Sequence, residues 1–239
     1  LVSTGENVSA SLLAMSFQSL GINAISLTGA QAGIQTQDLH SKAKILTIKT
    51  ERIEKELNDN KVVIITGFQG INPNADITTI GRGGSDTSAV ALAAALKCEE
   101  CEIYTDVDGV YTTDPRKIKN AQKLKEVSYE EMLEMASLGA KVMQPVSIQD
   151  ARLSRTDIEV KSSFNNKRGT LITKRKNIVN RNIITGISST QNDAKVTLVG
   201  VIDKPGIAAS IFKPLSESSI NVDMVVQNIS ANGKETDLT

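Results

Sequence analysis

The residues best suited to chemistry lie in Thr78-Thr79-Ile80-Gly81-Arg82-Gly83-Gly84-Ser85-Asp86-Thr87-Ser88-Ala89. Three glycines in four positions let a backbone approach a ligand closely, because no Cβ stands in the way. Ser85 and Asp86 are N-cap residue types, and the Ala- and Leu-rich run from Val90 to Leu96 favours helix behind them. A helix start offers free N–H groups and the positive end of a dipole, so the stretch is suited to an anion. Arg82 adds a planar cation that grips a carboxylate or phosphate at two points. The plainer alternative is a tight strand-to-helix turn with a solvated arginine.

A second polar stretch is Asp106-Val107-Asp108-Gly109-Val110-Tyr111-Thr112-Thr113-Asp114-Pro115-Arg116. Its Asp-Gly and Asp-Pro steps are ordinary turn chemistry. Three aspartates beside an anion site also suit Mg²⁺ or the polar groups of a nucleotide. Lys141 follows Gly139-Ala140 and can reach a phosphate as a point charge, although a lone lysine is usually solvated. Cys98 and Cys101 are three apart with Glu-Glu between them and no second pair for zinc, and read as a reduced chance pair at a helix end. His40, the one histidine, lacks an evident Ser or Cys partner and reads as structural.

The elements that must position these residues alternate. Residues 2–6 read as a strand end and loop, and Asn7 to Leu20 as a helix with Val8, Leu12, Leu13, Met15, Phe17 and Leu20 as its apolar stripe. Strands are expected at Asn23–Thr28, Lys44–Ile48, Val62–Phe68 and Glu102–Asp106. The third of these is a β-branched run of the kind covered on both faces. Glu51–Asn58 reads as a helix with Ile53 and Leu57 inward, and Ser128–Gly139 as one announced by the capping box Ser128/Glu131. A helix at Val146–Leu153 and strands at Ile158–Ser162 and Gly169–Thr173 complete the first domain. This order predicts an α/β fold, a mostly parallel sheet sandwiched by helices, with ligands beyond the C-terminal ends of the strands. A basic stretch, Lys174-Arg175-Lys176-Asn177, marks the boundary between domains at 1–174 and 175–239. Beyond it, strands at Ile183–Ser188, Lys195–Val201 and Asn221–Ile229 and a helix at Ile207–Ser216 predict a partial α+β domain.

Composition narrows the function. The 27 basic and 27 acidic residues leave no net field for nucleic acid or an anionic membrane. With 3% aromatic residues and no Trp, base stacking has little to work with. No apolar run reaches the ~18 residues of a membrane span.

Four blocks, in order, carry a resemblance: Gly67-Phe68-Gln69-Gly70, Thr79 to Asp86, Tyr104 to Arg116, and Asp203-Lys204-Pro205-Gly206. Together they resemble aspartate kinase, with a catalytic domain of the amino-acid-kinase fold and part of a ferredoxin-like ACT regulatory domain. The resemblance implies ATP-dependent phosphorylation of the L-aspartate side-chain carboxylate, with ATP and Mg²⁺ as cofactors, in a cytoplasmic enzyme of lysine, threonine and methionine synthesis. It implies that Glu6 contacts the substrate amino group and that Arg82 clamps a carboxylate of aspartate, with Gly83, Gly84 and Ser85 lining the site. Asp86 would organise the centre and its cations. Tyr104, Thr105 and Asp106 would border adenine and ribose, with Ser85 also on the nucleotide side. Val110, Tyr111, Thr112, Thr113, Asp114 and Pro115 would wrap the nucleotide, and Lys141 would approach it from the next loop. Lysine or threonine would bind near Asp203, Ala208, Asn221, Val222, Asp223 and Gln227, and ACT regions would pair between subunits into a homo- or hetero-oligomer.

An acceptor carboxylate is already ionised at pH 7, so such a kinase needs positioning and charge neutralisation rather than a strong base. The family's N-terminal Lys-x-Gly-Gly-Thr-Ser segment has no counterpart after Leu1. The expectation is therefore an excerpt of a longer protein, inactive alone, whose ACT region lacks its later strands and second helix. On the same expectation the strand Asn221–Ile229 has no neighbour in this chain. The alternative is a non-catalytic amino-acid sensor that keeps the fold without turnover. Another carboxylate or nucleotide kinase of the same fold would explain the sheet but not the ACT region.

Overall fold

A computed structural model describes residues 1–140, 142–174, 184–189, 194–202, 204–218, 220, 222, 225–229 and 235–239. The chain divides into two compact units, Leu1–Ser189 and Thr190–Thr239. The boundary expected at 174/175 borders residues 175–183, which lie outside the described residues.

The first unit runs α1 (Val2–Ser19), β1 (Ala24–Leu27), β2 (Ile34–Thr36), β3 (Ile45–Ile48), α2 (Glu51–Asn58), β4 (Val62–Ile65), β5 (Gln69–Ile71) and β6 (Ile77–Thr79). It continues with α3 (Gly84–Ala95), β7 (Glu100–Thr105), β8 (Glu126–Ser128), α4 (Tyr129–Ser137), α5 (Pro145–Ser154), β9 (Asp157–Ser162) and β10 (Thr170–Thr173). The longest ladders are parallel, as the βα alternation dictates: β7 with β9 from Glu100↔Asp157 to Thr105↔Ser162, and β1 with β4 from Ala24↔Val62 to Leu27↔Ile65. The order β7-β9-β10-β8 adds a parallel β10–β8 pair, and β3-β2-β5-β6 is a side sheet of mostly antiparallel pairs. One apolar core gathers Val90, Ile103, Met132, Ile148, Ile158, Val160 and Ile172 under α3, α4 and α5, and a smaller one joins Leu27, Ile34 and Ile53.

Several local expectations are corrected. The helix α1 begins at Val2, so residues 2–6 are helical rather than strand and loop. Its inner face is Ser3, Ala10 and Ala14, while Val8, Leu12, Leu13, Met15 and Leu20 are exposed. Small residues let the helix lie close to its sheet, and the larger apolar ones are left outside. In α2, Ile53 is buried as expected but Leu57 is exposed; Glu56 is buried instead, with Lys61 Nζ 2.6 Å from its carboxylate. The strand β4, expected to be covered on both faces, is half-buried along its length and pairs only with β1 among the described residues. Residues 184–189 form no strand: Ile187 N–H donates to Thr112 O (2.7 Å) and Thr185 Oγ1 to Glu131 Oε1 (2.9 Å), partners in a loop and a helix rather than a ladder.

The second unit contains β11 (Leu198–Ile202), α6 (Ile207–Glu217), β12 (Gln227–Ile229) and β13 (Glu235–Leu238), ordered β11-β13-β12 with antiparallel pairing. The strand expected to lack a neighbour thus has one, since Gln227 faces Leu238 in register. Among the described residues only Thr236 and Leu238 are buried in this unit. No helix among the described residues is long and apolar enough to cross a membrane.

Candidate active site

The glycine turn leads into α3 as anticipated, but its cap differs. Gly83 is the N-cap, in the left-handed region at φ 70°, and Ser85 and Asp86 lie inside the first turn with no side-chain cap bond. The reason is room. A Cβ on Gly83 would lie 1.9 Å from Gln144 Cγ, and one on Gly84 would lie 2.8 Å from Phe68 Cδ2. Gly84 N–H donates to Gly81 O (3.0 Å) and Thr87 N–H to Gly83 O (3.0 Å). The Ser85 and Asp86 N–H groups between them have no partner among the described residues, so a pair of donors stands open at the helix start. Arg82 is exposed and has no hydrogen bond or ion pair among the described residues. Asp86 is half-buried, and burial raises its carboxyl above the usual range.

The end of β4 closes on this turn. A Cβ on Gly67 would sit 3.4 Å from Ser85 Cα. Phe68, a bulky residue, is held at φ 65°. Its N–H donates to Ser88 Oγ (3.1 Å) and its carbonyl accepts from Ile80 N–H (3.1 Å), which fixes the strained backbone against α3. Gln69, 1% exposed, donates from Nε2 to Ser3 O and to Asn7 Oδ1, both at 3.1 Å. That pair of bonds brings the turn of α1 bearing half-buried Glu6 to the same strand end. Glu6, the Gly67–Gln69 corner and the Gly81–Asp86 turn therefore gather beyond the carboxyl ends of parallel strands. The Phe68 strain and the Gln69 link carry no sequence signal beyond the block they sit in.

The second stretch follows β7. Tyr104 is exposed, its hydroxyl donates to Glu102 Oε2 (2.8 Å), and Lys161 Nζ lies 5.6 Å from its ring centroid. Thr105 Oγ1 donates to Asp106 Oδ1 (3.1 Å). Val110 is buried at the neck of the loop, where Tyr111 OH donates to Asp108 Oδ1 (2.8 Å). Burial pushes Asp108 up, but the Tyr111 hydroxyl and the Lys123 ammonium outweigh it and hold the carboxyl below its ordinary value. Thr112 Oγ1 accepts from Gln122 N–H (3.1 Å). Asp114 pairs with Arg116 (3.1 Å), while Thr113 and Pro115 lie beside these anchored residues and make no hydrogen bond of their own among the described residues. No hydrogen bond or ion pair among the described residues joins Arg82 or Asp86 to this loop.

Lys141 lies outside the described residues, as do Asp203, Asn221 and Asp223. Gln144, three positions after Lys141, is the residue against which Gly83 packs, so that connection does approach the glycine turn. In the second unit Ala208 lies in the first turn of α6, Gln227 opens β12, and both are exposed with Val222. Cys98 is exposed, Cys101 is buried with its thiol pushed up to about 11, and both are free. Such a thiol is no nucleophile at neutral pH. The His40 side chain is exposed and its carbonyl accepts from Thr79 N–H (2.8 Å). A cleft of about 280 Å³ between β3, α3 and α5 contains none of the expected site residues.

A glycine turn with open N–H groups beyond parallel strands, followed by a polar loop, is an arrangement of the α/β class suited to an anionic ligand. The chain belongs to the amino acid kinase family, whose model matches residues 1–162, and an ACT domain model matches residues 196–238. Its relatives within that family include aspartokinases. That of Corynebacterium glutamicum is 47% identical over 243 residues, which cover all of this chain and 58% of the relative. The chain thus spans about 58% of the length of the curated relatives it matches. Escherichia coli aspartokinase III in complex with aspartate and ADP superposes with a TM-score of 0.74 at 27% identity, over 99% of this chain and 53% of that one. The same enzyme in complex with lysine and aspartate gives 0.76 at 28% identity, over 100% and 54%.

Proposed function

We propose that the protein phosphorylates the side-chain carboxylate of L-aspartate with ATP, yielding 4-phospho-L-aspartate, and that amino acids binding its ACT region regulate it. The observation that carries this reading is the glycine turn: open Ser85 and Asp86 N–H groups beside an exposed, unpaired Arg82. Arg82 holds a carboxylate of aspartate, Glu6 its amino group, and Gly83, Gly84 and Ser85 leave room for the acceptor. Tyr104, Thr105 and Asp106 border adenine and ribose, the segment Val110–Pro115 wraps the nucleotide, and Lys141 approaches it from the next loop. The acceptor oxygen is already anionic, so rate comes from alignment and neutralisation of the transferring group.

The residues present fit a divalent cation. Asp86 is a half-buried carboxylate whose ionised form is disfavoured by burial and which has no cation partner among the described residues. Mg²⁺ bound with ATP offsets polyphosphate charge, and Asp86 is the residue that would hold it.

Two structures of one relative, Escherichia coli aspartokinase III, carry aspartate with ADP or with lysine, which supports aspartate as acceptor and lysine as one regulator. Threonine as a second regulator, cytoplasmic location and assembly through ACT regions complete the proposal. The exposed Val199, Val225 and Val226 of the second unit suit a subunit contact. In the full-length protein, Arg82→Ala is expected to raise the aspartate KM about tenfold or more and leave the ATP KM within about twofold, measured as acyl phosphate trapped by hydroxylamine. An unchanged aspartate KM overturns the role of Arg82. A wild-type protein that binds lysine without forming acyl phosphate favours the sensor reading.

A further inference from the structure

The loop after β7 leaves the sheet at Asp108 and returns at Leu124, and its two stems meet a single hydroxyl. Thr170, the first residue of β10, is 0% exposed. Its Oγ1 accepts from Val110 N–H (2.8 Å) and donates to Leu124 O (2.6 Å). One side chain, sixty positions from one stem and forty-six from the other, therefore satisfies a backbone donor on the outgoing stem and an acceptor on the returning one. The fit is close: a Cβ on Gly109, at φ 144°, would lie 2.6 Å from this hydroxyl. Lys123 closes the neck from the side, its Nζ reaching Arg168 O (2.8 Å), Asp108 O (3.3 Å) and the Asp108 carboxylate (3.6 Å). Tyr111 and Lys123 face each other in an isolated antiparallel bridge just beyond.

We infer that Thr170 is a positioning residue for nucleotide binding: its buried hydroxyl clasps both stems of the loop Asp108–Leu124, with Lys123 as the second clasp, and presents Val110–Pro115 to the nucleotide. The inference rests on the nucleotide role proposed above for that loop. Alternatives within the loop are weaker clasps. The Arg116–Asp114 pair is local to its own turn, and Gln122 to Thr112 joins loop to loop. The stems also pair directly, Leu124 N–H donating to Val110 O (2.8 Å), and Leu171 N–H of β10 donates to Lys125 O (3.0 Å); Thr170 is the side chain among the described residues that bonds both stems from the sheet. Without its hydroxyl a buried N–H and a buried carbonyl lose their partner, so the neck opens or rearranges before the nucleotide can bind.

The test uses the full-length protein and equilibrium titration with ADP, which needs no turnover, alongside aspartate KM and hydrogen exchange of residues 108–124. Thr170→Val is expected to weaken ADP binding about tenfold, to speed exchange in that segment, and to leave the aspartate KM within about twofold. Thr170→Ser restores both clasp bonds and is expected to behave as wild type. Thr173→Val, on the same strand and bonded to Asp157 (2.7 Å), is the control for general weakening and is expected to leave ADP affinity unchanged. Should Thr170→Val fail to give a cooperative melt, Lys123→Met takes its place with the same split. The inference is overturned if Thr170→Val, or Lys123→Met in its stead, leaves ADP affinity unchanged or moves the aspartate KM equally. It is also overturned if Thr173→Val weakens ADP binding as much, or if the wild-type protein does not bind ADP. A protein that binds ADP and shows the split, yet forms no aspartyl phosphate, keeps the clasp and loses only the proposed reaction.

Discussion

The glycine turn and the loop after β7 are two solutions to one problem, holding irregular backbone still beyond the end of a strand. The turn is fixed by missing side chains. Gly83 and Gly84 allow segments to touch where a Cβ would crowd them, and Gly67 brings the end of β4 within contact distance of Ser85. The loop is fixed by side-chain clasps, Thr170 arriving from β10 and Lys123 reaching across from the returning stem. Geometry built on absence tolerates no addition, whereas geometry built on a clasp tolerates any residue that remakes its bonds. The two regions should therefore fail in different ways.

The largest effect is expected from Gly83→Ala. Alanine there meets a left-handed backbone and the Gln144 stem together, at a cost of about 2–4 kcal/mol. Gly21 also has positive φ, at 78°, but nothing lies within 4 Å of its Cβ position, so Gly21→Ala should cost only about 1 kcal/mol. Urea melts of the two variants decide the matter. Equal losses would mean that conformation alone, not contact with Gln144, requires the glycine.

Asp86→Asn separates chemistry from stability. Burial raises the folded-state carboxyl pKa, so the folded protein binds more protons than the unfolded chain as pH rises past the ordinary aspartate value. Ionisation of Asp86 therefore removes stability as pH climbs through that raised pKa. Asparagine should lift Tm at pH 7 and give little gain near pH 3, while kcat falls on the order of 10²-fold or more if Asp86 serves the transferring phosphoryl group. A loss of Tm at pH 7 with kcat intact would reduce Asp86 to a first-turn helix residue.

The same contrast explains what could be read from the sequence. Gly81, Gly83 and Gly84 announce a close approach because few other constraints call for three glycines together, and the Ser128/Glu131 box is local, so both are legible in a short window. The stripe of α1 misleads because Val8, Leu12 and Met15 have helical spacing, yet close packing on the sheet selects the Ala10 and Ala14 face. Gln69 and Thr170 are common polar residues in strands; nothing in their neighbours says that one reaches α1 and the other spans a loop. The strain at Phe68 likewise arises from contacts with Ser88 and Ile80 that only the folded chain brings together. Sidedness, clasps and strain depend on distant partners, and those are what spacing omits.

The smallest effect belongs to Lys161, which lies beside Tyr104 on β7, ahead of the loop. Its ammonium lies 2.7 Å from Glu102, 3.4 Å from Glu159 and over the Tyr104 ring. A hydrogen bond from Lys161 holds Glu102 below its ordinary pKa, and the bond to Glu102 raises Lys161 in turn. A lowered carboxylate contributes stability above its unfolded pKa that is lost as pH falls; a raised lysine contributes below its unfolded pKa and loses it as pH rises. The pair therefore acts between about pH 4 and pH 10. Lys161→Met should lower Tm at pH 7 by less than Gly21→Ala does, because its nearest partner, Glu102, is solvent-exposed. The deficit should shrink toward pH 3, where Glu102 is protonated with or without its partner. ADP affinity should move less than in Thr170→Val, since Tyr104 keeps its strand even when the cation over its ring is gone. A Tm deficit that persists at pH 3 would assign Lys161 to packing through its alkyl stem, and a loss of ADP affinity matching Thr170→Val would place the loop's support on the sheet face rather than at its neck.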